Sequence, residues 1–512
     1  MLRTNPDSGQ PGVLMGGNSV VNSQKLRRLR GERRFSDYFG ISRGQSQLDF
    51  VDVPLDTDIE LYVDPYALHV SPVDWLRSCG DLVANYFDVL IQALKAKDHT
   101  RAMSLISNLH EPNETRLGQS QGKPRGRGWG QVQAKQLYDR LSSSKAVSSG
   151  KLQDLGDFEL LVPGIGSDKI SDLAINVIRG ELTAYTKEQC ELYGIATELV
   201  AAGGLWNPEQ QRWEGHYAQL PVYENAGVLL VPKVAVRRRL VPDSKEFYDQ
   251  YVLRFLEAEH LHARDSLVYT LKNGNPKVYL SDLRAKYPVS KEFLFDFSEK
   301  NPGVLKSYKA TLPEKAAEAI ADEGIESRQW ASRLIDHRVR APELRGIPPG
   351  PAEASKYHNF MIGALTEIFY PELTRPMKEQ PADEGRKRID IFFHNSSSKG
   401  FFSRLVNSHK YHAPYISVEC KNYSSDPTNP EFDQLMGRLN RKRGFVGILA
   451  CRQIEDKGLM LKRCRDVVNN DSERLILVFD DDDVCALLGF VSANERKKID
   501  EYLEDKLKEI LA

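Results

Sequence analysis

The sequence predicts a mixed α/β protein built from several domains, and three observations carry that prediction. The chain has 512 residues, more than one core of ~100–200 residues accommodates. Segments alternating apolar and polar residues are interleaved with segments of helical period. The C-terminal third reads as helices and strands in succession, with short apolar runs bounded by turn residues.

Composition narrows the class. Apolar residues make up 41% and charged residues 28%, as in a globular protein rather than a coiled coil or a disordered chain. Mean hydropathy is −0.46, and no apolar run reaches the ~18 residues a membrane-spanning helix needs. Met1-Leu2-Arg3-Thr4-Asn5-Pro6 lacks the apolar stretch of a secretory signal, so a cytoplasmic location is expected. The six cysteines contain no CxxC pair, which predicts free buried thiols, with neither a disulfide framework nor a structural zinc site.

In chain order, residues 1–35 are rich in Gly, Ser and Asn and end in the basic stretch Lys25-Leu26-Arg27-Arg28-Leu29-Arg30-Gly31-Glu32-Arg33-Arg34, a flexible basic arm. Residues 36–225 form a mixed α/β domain. Asp58 to Val63 alternates as a strand does, and Val83 to Leu94 has helical period. Between Leu117 and Gly130 five glycines accompany Lys123, Arg125 and Arg127. These are candidate phosphate contacts, though a plain loop has the same composition, and no Gly-Lys-Ser/Thr closes a P-loop. Residues 226–350 read as mainly helical after a strand at Val228–Val231, and Pro348-Pro349-Gly350-Pro351 marks a boundary because proline fixes φ and removes a donor. Residues 351–512 form the last domain.

That domain holds the chemistry. Ser355 is a candidate N-cap of a helix whose apolar stripe runs Tyr357, Phe360, Met361, Ala364, Leu365 and Ile368, with Glu367 at its edge. Arg388 to Phe393 is a strand carrying Asp390. In Tyr415 to Lys421, alternation sends Ile416, Val418 and Cys420 into the core and puts Ser417, Glu419 and Lys421 on the opposite face. Asn429 is positioned to cap the next helix, whose polar stripe is Gln434, Arg438 and Arg441. Carboxylates such as Asp390 and Glu419 are the hard oxygen donors that Mg²⁺ prefers, and phosphodiester hydrolysis uses such an ion to acidify water and offset phosphate charge. Lys421 beside them would stabilise developing negative charge. Other Glu-x-Lys triplets occur, at Glu455, Glu495 and Glu504, but in polar or helical segments.

The order helix with Glu367, strand with Asp390, strand with Glu419-Cys420-Lys421 and helix with Gln434, then strand 445–450, helix 459–468, strand 475–479 and helix 493–511, resembles the PD-(D/E)xK, or restriction-endonuclease-like, nuclease superfamily. It is most similar to the Mrr-like and Holliday-junction-resolvase-like branches, and the resemblance covers about residues 353–512. It implies a central mixed sheet flanked by helices and a Mg²⁺-dependent endodeoxyribonuclease, with Mn²⁺ as a substitute ion. Asp390 and Glu419 would be metal ligands, Glu367 a further ligand through water, Lys421 the water-orienting residue and Gln434 its support. Arg388, Arg438 and Arg441, with Lys123, Arg125 and Arg127, would contact DNA, which is expected ahead of RNA. Two departures stand out: Arg388-Ile389 where Pro or Gly often precedes the Asp, and the 29-residue step from Asp390 to Glu419. The upstream residues would recognise a substrate, a defence-system partner or a second copy of the chain, as in restriction or anti-phage defence. The alternative is an inactive nuclease fold kept for nucleic-acid binding or partner sensing.

Other candidates read as bland. His394, His409 and His412 match no zinc spacing and suit an exposed loop; Asp480 to Asp483 suits a solvated strand end; His260 and His262 suit the surface. Asp64, Asp168 and Asp172 fall at strand ends or turns, where a second catalytic or ligand-sensing site could sit, and Asp168 and Asp172 also fit helix caps. The formal charge of −1 conceals a cancellation. Residues 386–465 hold 16 Lys and Arg against 7 Asp and Glu, whereas residues 471–512 hold 6 against 12, so near-neutrality does not argue against a nucleic-acid partner.

Overall fold

The computed structural model describes residues 33–71, 73–118, 131–149, 152, 155–316, 340–377, 391–406, 408, 410–471 and 473–512. The basic arm to residue 32, the cations Lys123, Arg125 and Arg127, and Arg388, Asp390 and His409 lie outside the described residues. The architecture is mixed α/β. Among the described residues no helix is long and apolar enough to cross a membrane.

The first half is a helical body trimmed with two-stranded sheets. β1 (Tyr62–Val63) leads to α1 (Asp74–Lys95), followed by α2 (Ser167–Val177) and α3 (Arg179–Tyr193). A long antiparallel hairpin, β2 (Glu198–Asn207) with β3 (Arg212–Leu220), then precedes the short pair β4 (Val222–Tyr223) and β5 (Ala226–Gly227). β6 (Val236–Arg237) returns to pair with β1. Only the last two residues of the alternating stretch 58–63 form a strand; Ile59 makes an isolated bridge to Leu117. Val228–Val231 is buried but joins no ladder. Its backbone bonds go to separate partners, with Val228 N donating to Pro221 O, Leu229 N to Glu114 O, Leu230 N to Thr186 Oγ1, and Val231 O accepting from Val51 N. An apolar run shows burial, but a strand also needs one continuous neighbour.

α4 (Leu253–Ala263), the hairpin β7 (Tyr269–Thr270) with β8 (Pro276–Lys277), and α5 (Leu280–Lys286) follow. The expected boundary at residue 225 does not separate two cores, because one buried apolar cluster runs from Phe35 to Leu312. A second cluster takes Leu344 to Ile510, with Leu192 from α3. Arg375 ties the halves together: its guanidinium pairs with Glu188 at 2.8 Å and its backbone N–H donates to Asp49 Oδ1 at 2.9 Å.

The second cluster is built on one five-stranded mixed sheet. α6 (Ala354–Phe369) begins after N-cap Glu353, two residues ahead of the expected Ser355. β9 (Leu373–Met377), β10 (Ile391–Asn395) and β11 (Tyr415–Lys421) form an antiparallel meander, with α7 (Gly400–Val406) between the last two. After α8 (Asn429–Met436), β12 (Val446–Cys451) pairs parallel to β11; after α9 (Lys457–Asn470), β13 (Leu475–Phe479) pairs parallel to β12. The spatial order is the chain order, so β11 is central. β12 and β13 are buried along their whole length, as parallel strands covered by helices require. α10 (Asp481–Ser492) and α11 (Arg496–Leu511) close the domain.

The Asp480 run corrects its expectation. Asp480 and Asp483 each accept the other's backbone N–H, a reciprocal cap that starts α10. Asp481 is buried and pairs with Arg452 Nε at 3.1 Å while accepting from the Tyr357 hydroxyl at 3.2 Å. His260 is likewise buried, in contact with Asp265 and, at 3.0 Å, with the Tyr287 hydroxyl; His262 is exposed as expected. His394 lies on β10, where burial and Arg375 push its imidazole down to about 3, far from a solvated loop residue.

Candidate active site

The candidate site sits where β11 ends. Glu419 and Lys421 are two residues apart on this strand and so share a face. The face is not open: Ser417 and Glu419 are as buried as Val418, because helices cover both sides of the sheet. A charged carboxylate 2% exposed has to be compensated, since desolvation disfavours an isolated charge by several kcal/mol. Lys421 Nζ lies 2.6 Å from Glu419 Oε1, and the Arg438 guanidinium contacts Oε2.

Lys421 is held from a second direction. Its ammonium donates to Gln434 Oε1 at 3.1 Å, so strand and following helix meet through one cation. Thr428 and Glu431 start that helix with a capping box, one residue earlier than the expected cap Asn429, which becomes the first helical residue. Its approach to the sheet needs Gly447 on β12. A Cβ there would lie 2.9 Å from Leu435 Cδ2, closer than two carbons pack.

Arg438 is the main correction to the expected DNA face. The helix stops at Met436, and the chain turns through Gly437, Arg438 N donating to Leu435 O at 3.0 Å. Arg438 therefore leaves the stripe of Gln434 and Arg441, becomes 4% exposed and reaches back to Glu419. Gly444 closes this turn at φ +95°, and a Cβ there would lie 2.8 Å from Tyr415 O at the start of β11, so the turn sits directly on the strand. Arg441 stays on the surface, as does Gln434.

Glu367 is fully buried on α6, 4.0 Å from Arg340 Nε. Asp390 immediately precedes Ile391, the first residue of β10, and Ile391 pairs with Val418, the neighbour of Glu419. Among the described residues no three carboxylate, imidazole or thiol side chains form a metal-holding group. The described part of the candidate site is thus Glu419, Lys421, Gln434 and Arg438. Two of its supports carried no motif. Asn422, just past β11, donates to Pro348 O at 3.0 Å and Gly350 O at 2.8 Å, pinning the proline-rich break onto the strand end. Gly447 was detectable only as the small residue of an apolar strand.

In the first half, Asp64 is a cap: it accepts from Ala67 N at 3.0 Å and Val241 N at 2.7 Å, while burial pushes its carboxyl up to about 6. Asp168 and Asp172 do not cap α2, whose N-cap is Gly166. They lie one turn apart on it, and burial, with Asp168, Glu111 and Asp58 nearby, pushes Asp172 up to about 8.

A family model described as Domain of unknown function (DUF8370) matches residues 40–241. No curated protein and no solved structure matches the chain. The family match falls in the first half and ends before the sheet bearing Glu419.

Proposed function

We propose that residues 353–512 form a metal-dependent nuclease unit that hydrolyses phosphodiester bonds in DNA, with the first half serving recognition in a restriction or anti-phage role. One observation carries this reading: Glu419, Lys421 and Gln434 form a connected acid, cation and amide series where the central strand meets the following helix. The meander β9–β10–β11 followed by a helix and a parallel strand supports it, being the mixed sheet that the resemblance implies.

The donor chemistry fits a hard divalent ion. Glu419 supplies a carboxylate, and Asp390, on sequence grounds, a second one beside the first residue of β10. Bound there, Mg²⁺ would acidify a water and offset charge on the scissile phosphate. Gln434 and Glu419 hold Lys421 so that its ammonium faces any negative charge that develops beside the carboxylate, without reorganisation at the moment of reaction. Asn422 keeps the strand end fixed against the interdomain break.

The test is supercoiled plasmid with the purified chain and Mg²⁺, beside Glu419→Ala and Lys421→Ala. Each substitution is expected to reduce nicking by at least ~100-fold. Equal nicking by all three proteins would sink the site assignment. A second reading, a nuclease fold kept for binding, is favoured by Arg438, which occupies the Glu419 oxygen opposite Lys421. No cleavage of plasmid, single-stranded DNA or RNA, with Mg²⁺ or Mn²⁺, would select that reading.

A further inference from the structure

The β7–β8 hairpin carries an exposed surface that neither core explains. From Thr270 to Lys277 every residue except Leu271 is exposed, and Val278 anchors the hairpin at 2% exposure. The tip is tight: Gly274, at φ +82°, donates its N–H to Leu271 O at 2.8 Å, and Leu271 N donates to Asn275 O at 2.9 Å. A hairpin this well closed holds its side chains in fixed directions.

Those side chains are aromatic and cationic. Tyr269 and Tyr279, 48% and 40% exposed, pack edge to face with centroids 5.2 Å apart. Lys277 Nζ stands 4.8 Å from the Tyr279 ring centre. Residues 264–286 hold five Lys and Arg against two Asp, in a chain of net charge −1. Of the two acids, Asp265 contacts His260 and accepts from Leu267 N at 3.0 Å, and Asp282 accepts a hydrogen bond from the Tyr269 hydroxyl at the edge of the ring pair. Arg284 is paired with Asp249. Lys272, Lys277 and Lys286 have no carboxylate within ion-pairing distance among the described residues. Lys277 stands against the Tyr279 ring and Lys286, drawn electrostatically to Asp265, lies over the neighbouring Tyr287; exposed rings with cations outside direct ion pairs on the same hairpin and its following helix select a partner with flat apolar faces and regularly spaced anions. Unpaired bases on a phosphate backbone have that chemistry.

We propose that this hairpin is a contact site for single-stranded nucleic acid, with bases stacking on Tyr269 and Tyr279 and phosphates tracked by Lys272, Lys277 and Lys286. It shares the nucleic-acid ligand class with the nuclease reading but lies on another part of the chain and needs no metal.

The test uses the full chain in EDTA and a fluorescein-labelled oligothymidylate of about 20 nucleotides, longer than a single site of this kind. Wild type is expected to bind, and Tyr269→Ala/Tyr279→Ala to weaken binding by about tenfold or more. Lys272→Glu/Lys277→Glu should weaken it similarly and flatten the dependence of Kd on salt. Tyr269→Phe/Tyr279→Phe, which keeps the rings, should bind as wild type does, and circular dichroism checks that each variant is folded. No binding by wild type, unchanged binding by both disruptive variants, or equal variant effects on a duplex of the same length would overturn the proposal. Binding lost in the hairpin variants of a protein that cuts nothing would sink the nuclease reading alone. Cleavage abolished by Glu419→Ala with oligothymidylate binding indifferent to the hairpin would sink this one alone.

Discussion

Glu419 on β11 and Asp172 on α2 are both carboxylates in the interior, 2% and 9% exposed, and their surroundings are opposite in sign. Glu419 lies between Lys421 and Arg438. Asp172 faces Asp168, Glu111 and Asp58, and its carboxyl is pushed up to about 8. One site keeps a buried charge by supplying cations; the other removes the charge by holding a proton. The first solution holds both carboxylate oxygens against fixed cations, while the second yields a neutral acid whose state follows pH. Chemistry on a phosphate needs the first kind, which is why the proposed function rests on β11.

Breaking the pairing at Glu419 should have the largest effect. Arg438→Met leaves the buried carboxylate with Lys421 alone, and removing one partner of a buried pair typically costs about 3–5 kcal/mol. Urea unfolding should show that loss in Arg438→Met and recovery of most of it in Glu419→Gln/Arg438→Met, where charge and counter-charge are both gone. If the double variant is no more stable than the single one, the pair does not act as a unit.

The proton at Asp172 gives a smaller, pH-dependent effect. An unfolded Asp titrates near 3.9, whereas the folded carboxyl titrates at about 8. Between those values the folded state holds a proton that the unfolded state has released, so stability falls as pH rises through that window. Asp172→Asn removes the titration. It should raise stability by on the order of 2–3 kcal/mol at pH 8, after allowance for relaxation around the site, and leave it unchanged near pH 4. Thermal unfolding of both proteins across that range measures it, and a difference independent of pH would show that Asp172 is ionised in the fold.

These two sites also mark how far the sequence could be read. The C-terminal sheet was legible because its strands are apolar runs of strand length between turn residues; β13 spans residues 475–479 as expected, and the pairing of Glu419 with Lys421 follows from strand alternation. The turn of Arg438 toward Glu419 was not legible. Helical spacing continued past Met436 gives Arg438 an outward position, and only the chain reversal between Gly437 and Gly444, seated on Tyr415 O, sends it inward. The acid cluster at Asp172 was hidden for a related reason. Glu111, Asp58 and Asp168 are far apart along the chain or a helical turn away, and proximity in space has no local signature. Tyr62–Val63 shows the same limit for strands, since its partner Val236–Arg237 lies more than 170 positions on.

A third carboxylate uses neither cation nor proton as its main compensation, and this sharpens the contrast at the smallest scale. Asp480, 6% exposed, accepts the backbone N–H of Asp483 at 2.8 Å, and its own N–H donates to Asp483 Oδ2 at 3.0 Å. Amides at a helix start carry partial positive charge, so this arrangement compensates an acid with backbone the helix must satisfy in any case. Asp480→Ala should therefore cost only about 1 kcal/mol, well below Arg438→Met, and Asp480→Asn, which keeps an acceptor oxygen, should recover most of it. The measurement is urea unfolding of the three proteins at neutral pH. If Asp480→Asn is as unstable as Asp480→Ala, the charge of Asp480 matters more than its hydrogen bond, and this acid belongs with Glu419 as a site whose ionisation the fold maintains.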